Sequence, residues 1–293
     1  MNIKNFYTPD RLLNNDFSEL NVNYEREINT IWCYMNASPR PCFTPGLLSE
    51  FDMLQDKLLH PAMKNNDVKY LVAASKTPGV FNLGGDLDYF SHCIESSDRT
   101  GLTEYAYACV DLSYAALNQF GKDITSIALV QGNALGGGFE CALSCNTIVA
   151  EESSRLGFPE ILFNLFPGMG AYSFLSRRVS MHVAEEIIMS GKMYTAEELY
   201  ELGVVDVLVR DGDGERAVRN YIQQHSKKYL ARVAMHKAKM LAAPITQKEL
   251  HDITDVWVEA ALKVDRTSLK VMQRLIRAQT NKMKDVERMA VVS

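Results

Sequence analysis

Apolar residues along this chain change their spacing from segment to segment, and those changes predict its elements. Residues 68–74 hold an unbroken apolar run, Tyr70-Leu71-Val72-Ala73-Ala74, the pattern of a strand covered on both faces. Residues 27–35, 126–131 and 147–150 read as further strands. Residues 45–63 show helical spacing instead, through Leu48, Phe51, Leu54 and Leu58. Residues 103–120 repeat it through Tyr107, Val110, Tyr114 and Leu117, and 139–145 continue as helix from a glycine-rich turn. Residues 196–202 read as a helix stopped by Gly203, ahead of a strand over 204–209. Strands alternating with helices predict an α/β core with substantially parallel pairing.

After Gly214 the spacing is helical to the end, through Ile253, Trp257, Ala260, Ala261, Val264, Val271, Met272 and Leu275. The expected organisation is a polar N-terminal arm over 1–24, a catalytic core over 25–212, and a helical C-terminal region over 213–293. The run Asp211-Gly212-Asp213-Gly214 marks the hinge between the last two.

Composition, 47% hydrophobic and 23% charged, is that of an ordinary globular protein. Met1-Asn2-Ile3-Lys4-Asn5 lacks the apolar run of a signal peptide, and no stretch approaches the roughly 20 apolar residues of a membrane span. The six cysteines have no CxxC spacing; Cys141 and Cys145, four apart on one helix face, read as small core residues. A reduced cytoplasm without membrane insertion is the expectation. The net charge of −5 argues against nucleic-acid binding. From Arg216 onward, however, 16 Lys/Arg stand against 7 Asp/Glu. Those cations are either solvated helix faces or a surface for an acidic partner, such as coenzyme A phosphates or an acidic carrier protein.

The candidate chemistry lies in Gly136-Gly137-Gly138-Phe139-Glu140, followed twenty residues on by Pro159-Glu160. Glycines opening a helix offer bare N–H groups, a ready anion site. No Lys-Ser/Thr follows, so this is no P-loop, and the spaced glycines of a dinucleotide fold are missing. Upstream, Phe81-Asn82-Leu83-Gly84-Gly85-Asp86-Leu87 follows a strand and presents two more glycines. An N–H from Gly85 could join that of Gly137 at one oxyanion, while Asp86 caps the next helix. Two amides and two carboxyls suit the enolate of a thioester whose α-carbon exchanges a proton.

These segments resemble the crotonase (enoyl-CoA hydratase) superfamily, marked by Phe-x-x-Gly-x-Asp and Gly-x-Ala-x-Gly-Gly-Gly-x-Glu turns. Here they stand as Phe81 to Asp86 and Gly132 to Glu140, with Phe158-Pro159-Glu160 and Phe166-Pro167-Gly168-Met169-Gly170 similar to the second-glutamate loop. The resemblance implies a spiral of ββα units with a helical C-terminal region. It also implies Gly85 and Gly137 as oxyanion donors, Glu140 and Glu160 as the acid/base pair, and trimers or hexamers. The segments around residues 81–87, 127–140 and 165–174 are most similar to the diffusible signal factor synthases. That branch dehydrates a 3-hydroxyacyl thioester, carried on acyl carrier protein or coenzyme A, and hydrolyses it to a free cis-2-unsaturated fatty acid. No cofactor is implied. Burial and mutual repulsion are expected to raise at least one carboxyl pKa, and which glutamate is acid and which base stays open.

Met169, Trp257, Met272 and Leu275 read either as acyl-pocket lining or as plain core. Arg177-Arg178 reads as a solvated pair or a phosphate contact, and the six histidines as surface or packing residues. An ordinary hydratase is the alternative enzyme. A silent scaffold for a regulatory protein is the non-enzymatic one, and retention of both acids argues against it.

Overall fold

The computed structural model describes residues 13, 17–64 and 67–292, with side chains to residue 280. Among the described residues ten strands are arranged in two sheets: β1 Leu20–Glu25, β2 Thr30–Met35, β3 Tyr70–Ser75, β4 Gly79–Asn82, β5 Thr125–Val130, β6 Gly132–Leu135, β7 Thr147–Glu151, β8 Arg155–Gly157, β9 Met193–Thr195 and β10 Val207–Val209. Eleven helices are used below: α1 Pro45–Leu59, α2 Leu87–Ser96, α3 Arg99–Leu117, α4 Gly137–Ser144, α5 Ala171–Leu175, α6 Met181–Ser190, α7 Ala196–Glu201, α8 Gly214–Ser226, α9 Tyr229–Ala242, α10 Gln247–Ala261 and α11 Arg266–Val292.

The large sheet runs β1-β2-β3-β5-β7-β10 and the small one β4-β6-β8-β9. Pairing is parallel except at β1/β2 and β8/β9. Three successive strand pairs, β3/β4, β5/β6 and β7/β8, each place one strand in each sheet, so the chain winds as a spiral of ββα turns. This is the expected α/β architecture.

Alternation explains why the large-sheet strands read as continuous apolar runs. Ile31, Cys33, Leu71, Ala73, Ala128, Val130, Ile148 and Ala150 face the main core. Their neighbours Trp32, Tyr34, Tyr70, Val72, Ile127, Leu129 and Val149 face a second apolar layer closed by α8 and α9 through Val218, Ile222, Tyr229 and Val233. With both faces covered, neither set of positions can be polar.

Several boundaries differ from those the spacing predicts. Most of the N-terminal arm expected over 1–24 lies outside the described residues, and its last part, from Leu20, is the antiparallel edge strand β1. The sequence hid β1 because half of it faces solvent and carries Asn21, Asn23 and Glu25. The short β4 and β6, wedged between a strand and a turn, also escaped the periodicity. On α3 the buried residues include Val110 and Leu117 of the expected stripe, but Tyr107 and Tyr114 are only half-buried, and the buried face is completed by Leu102, Tyr105, Ala106 and Cys109. The long C-terminal reading resolves into α8 to α11, of which α10 packs on α3 and α11 lies against α2 and the turn at residues 160–163.

Candidate active site

Three consecutive glycines meet three different neighbours at the start of α4. Gly136 makes the turn from β6 with φ 49° and ψ −122°, a conformation reserved for glycine. A Cβ there would also sit 2.2 Å from Glu160 Oε1. At Gly137 a Cβ would lie 2.5 Å from Met169 Sδ and 3.4 Å from the Gly85 nitrogen. At Gly138 it would meet the Asn82 carbonyl oxygen at 2.2 Å, so α4 lies directly on the end of β4. The run is therefore a close-packing requirement as well as a turn.

The two amides named from sequence are brought together by this packing. Gly137 is the first residue of α4, where an N–H has no partner within the helix. A Cβ on Gly84 would lie 3.0 Å from the Gly137 nitrogen, so the Gly84-Gly85 turn crosses directly over the helix start. Gly85 N–H donates to no main-chain carbonyl among the described residues. The turn is set locally by Asn82 Oδ1, which accepts from Gly84 N–H at 2.7 Å, and by Asp86, whose carboxylate caps α2 as expected.

Glu140 stands one helical turn below Gly137 and is 1% exposed. Its Oε1 accepts from the Met169 and Ala171 amides at 2.7 and 2.9 Å. Burial pushes its carboxyl well above the usual range, and the neighbouring Glu160 adds to this, while the two amide bonds oppose it. Glu160 opens a short 3₁₀ turn, Glu160–Phe163, after Pro159. Its Oε2 is fully occluded and has no hydrogen-bond partner among the described residues. Burial raises this carboxyl to about 8. Two adjacent carboxyls with raised pKa values hold protons at neutrality more readily than ordinary ones, which suits proton transfer.

Both amides and both carboxyls border one cavity of about 80 Å³. Met169, Trp257 and Leu275 line it, as does Phe90. Met272 does not: it lies one helical turn before Leu275 on α11 but is fully buried within the core, so the plain-core alternative holds for it and the acyl-pocket reading is corrected. Trp257 packs directly against Gly168, where a Cβ would be 2.3 Å from the indole Cγ, and its ring is 5.0 Å from that of Phe90. A larger hollow of about 820 Å³ opens on the surface between α1 and α3 and contains neither glutamate.

Arg177 and Arg178 are not a solvated pair. Arg177 bonds Glu249 and the Pro244 carbonyl and so fastens the start of α10, while Arg178 bonds Asp206 and the Val204 and Cys145 carbonyls and ties residues 204–206 to the end of α4. Cys141 and Cys145 are buried free thiols. His251 pairs with Asp111 at 2.7 Å and His236 reaches the Leu117 carbonyl, both away from the cavity. Sequence reasoning missed Arg40, Phe90, Tyr105 and Gln279. Only the burial of Arg40 between Asp86 and Asp88, at 3.0 and 2.6 Å, could not have been guessed from any spacing. Tyr105 and Phe90 sit on apolar helix stripes that look like any others.

Comparison with known proteins places this geometry. Residues 46–268 match the family model described as enoyl-CoA hydratase/isomerase. The chain is 34% identical over 152 residues to the peroxisomal fatty acid beta-oxidation multifunctional protein AIM1 of Arabidopsis thaliana, covering 52% of this chain and 20% of that one. It thus spans about a fifth of that relative's length. The human mitochondrial delta3-delta2-enoyl-CoA isomerase superposes with a TM-score of 0.75 at 16% identity, over 90% of this chain and 99% of that one. Pseudomonas aeruginosa DspI superposes with a TM-score of 0.58 at 22% identity, over 90% and 97%. At these identities the two structures speak for a shared fold. The matched span includes both glycine turns and both glutamates, and the chain belongs to the enoyl-CoA hydratase/isomerase family of the crotonase superfamily.

Proposed function

We propose that this protein dehydrates a 3-hydroxyacyl thioester and then hydrolyses the thioester, releasing a cis-2-unsaturated fatty acid of the diffusible signal factor type. The reading rests on one observation: two adjacent main-chain amides and two buried carboxyls share a single cavity. The amides of Gly85 and Gly137 stabilise the enolate oxygen formed as the α-proton leaves. One glutamate takes that proton. The other, protonated, gives its own to the departing β-hydroxyl, which leaves as water. For hydrolysis the same amides hold the oxyanion after water attacks the thioester carbon, a glutamate accepts the water proton, and the carbon–sulfur bond breaks with the thiolate taking up a proton. No residue nucleophile is required.

The acyl chain is carried on acyl carrier protein or coenzyme A, and Trp257, Met169 and Leu275 give the cavity an apolar wall for the carbons next to the thioester. The similarity of the segments around 81–87, 127–140 and 165–174 to the signal-factor synthases supports the finer reading over plain hydration. Among the described residues no helix is long and apolar enough to cross a membrane. The test is product analysis by mass spectrometry. Given 3-hydroxydodecanoyl carrier protein, the protein should release free cis-2-dodecenoic acid. Release of trans-2-enoyl thioester alone would make it an ordinary hydratase, and absence of turnover on carrier and coenzyme A thioesters would favour a scaffold.

A further inference from the structure

A planar trans peptide points its carbonyl and its N–H in opposite directions, so holding one aims the other. The unit between Gly84 and Gly85 is held in this way: Phe43 N–H donates to the Gly84 carbonyl at 2.8 Å. The next unit is held too, because Asp86 N–H donates to the Tyr105 hydroxyl at 2.9 Å. The same hydroxyl donates to the Phe43 carbonyl. Three hydrogen bonds thus close a loop around Gly85: Phe43 to Gly84, Asp86 to Tyr105, and Tyr105 back to Phe43.

Everything around this loop restricts it further. Tyr105 is buried on α3, which keeps its phenol protonated and able to donate. Its ring meets Phe90 edge-on at 5.2 Å, and Phe90 lies so close behind Gly85 that a Cβ there would be 2.5 Å from Cζ. Arg40, from the segment that carries Phe43, clamps Asp86 and Asp88 on the far side of the turn.

We propose that Tyr105 is a positioning residue for the thioester carbonyl: its hydroxyl, through Asp86 N–H and the Phe43 carbonyl, fixes the direction of the Gly85 donor. This rests on the thioester chemistry proposed above. Packing alone needs only the aromatic ring, whereas the brace needs the oxygen, so Tyr105→Phe separates the two. That variant should lose roughly 10- to 100-fold in kcat, a part of the 10²–10³ lost when a whole oxyanion donor is removed, with KM changed little.

A second readout follows carbonyl polarisation directly. The absorbance of a conjugated dienoyl-coenzyme A should move to longer wavelength on binding the unaltered protein and move less on binding Tyr105→Phe. A full shift and full kcat in the folded variant would overturn the positioning role while leaving the oxyanion reading intact. No shift in the unaltered protein would overturn the oxyanion reading, and the positioning role with it. Should Tyr105→Phe not fold, 3,5-difluorotyrosine at position 105, which keeps the ring and the oxygen but weakens that oxygen as acceptor for Asp86 N–H, is judged by the same two criteria.

Discussion

The two halves of the site are built by different means. Gly137 and Glu140 belong to one helix, α4, so their spacing follows from helical geometry, and Glu140 is buried with two amide partners. Gly85 and Glu160 sit on a turn and a four-residue 3₁₀ segment, held by residues distant in sequence, and Glu160 keeps one oxygen without a partner among the described residues. The contrast teaches that the helical half is positioned locally and the other half by packing. It also divides the acids: one is anchored by two amides, the other keeps an occluded oxygen that has no partner among the described residues.

Removing either acid should have the largest effect. Glu140→Gln and Glu160→Gln should each lower the turnover of 3-hydroxyacyl thioester by about 10²–10⁴-fold while circular dichroism stays native. Full turnover in one of them would show that a single half does the chemistry. Next comes the support of the packed half. Trp257→Ala, which uncovers Gly168 and the back of Phe90, should cost about 3–5 kcal/mol in denaturant unfolding. A loss below about 1 kcal/mol would mean that this half is not held by that packing.

Gly136→Ala tests the junction between the halves. Its positive φ and the nearness of Glu160 predict roughly 1–3 kcal/mol of destabilisation and a fall in kcat. An unchanged kcat would separate the turn from the placement of Glu160.

The pH dependence sharpens the division of the acids. Burial raises Glu160 to about 8, so its proton should be lost on an alkaline limb of kcat near that pH, and Glu160→Gln should remove the limb. The sign for stability follows: the folded state binds this proton more tightly than the unfolded state, whose value is about 4.5. Its contribution is therefore full below pH 4.5 and declines as pH rises toward 8. A limb unchanged in Glu160→Gln would assign it to Glu140, whose carboxyl is raised by the same burial.

The smallest expected effect concerns the outer wall. Lys270, Arg274 and Arg277 are exposed on α11, the helix that brings Leu275 and Gln279 to the cavity. Reversing all three charges should raise KM several-fold for a carrier-linked substrate and less for a short thioester, as expected for partly screened surface charges. Equal changes would refute a docking role for this face.

The helical half of the site was readable because its parts lie within one short segment. A glycine run after a strand, with a glutamate at the next helical turn, would alone serve equally as a tight turn, and it became informative beside the Asn82 to Asp86 turn, which carries its own capping residue. Trp257, Met169 and Leu275 could be named as apolar residues, yet only packing separated them from Met272, which has the same spacing and faces the core. Edge strand β1 and the full buried face of α3 escaped for a related reason: periodicity shows that a face is apolar, and a half-exposed strand or a helix apolar on two sides shows it ambiguously.

By itself, the sequence determined the α/β class and marked the two glycine turns and the two candidate glutamates, because each depends on residues close together in the chain, whereas the spiral of strand pairs entered only through the family resemblance. Tertiary structure alone decided that Gly85 meets Gly137, that one oxygen of Glu160 lacks a partner among the described residues, and that Arg40, Phe43 and Tyr105 hold the turn between them. The physical reason is that a hydrogen bond or a burial depends on which groups arrive at one place, and Phe43 and Tyr105 come from segments 62 residues apart.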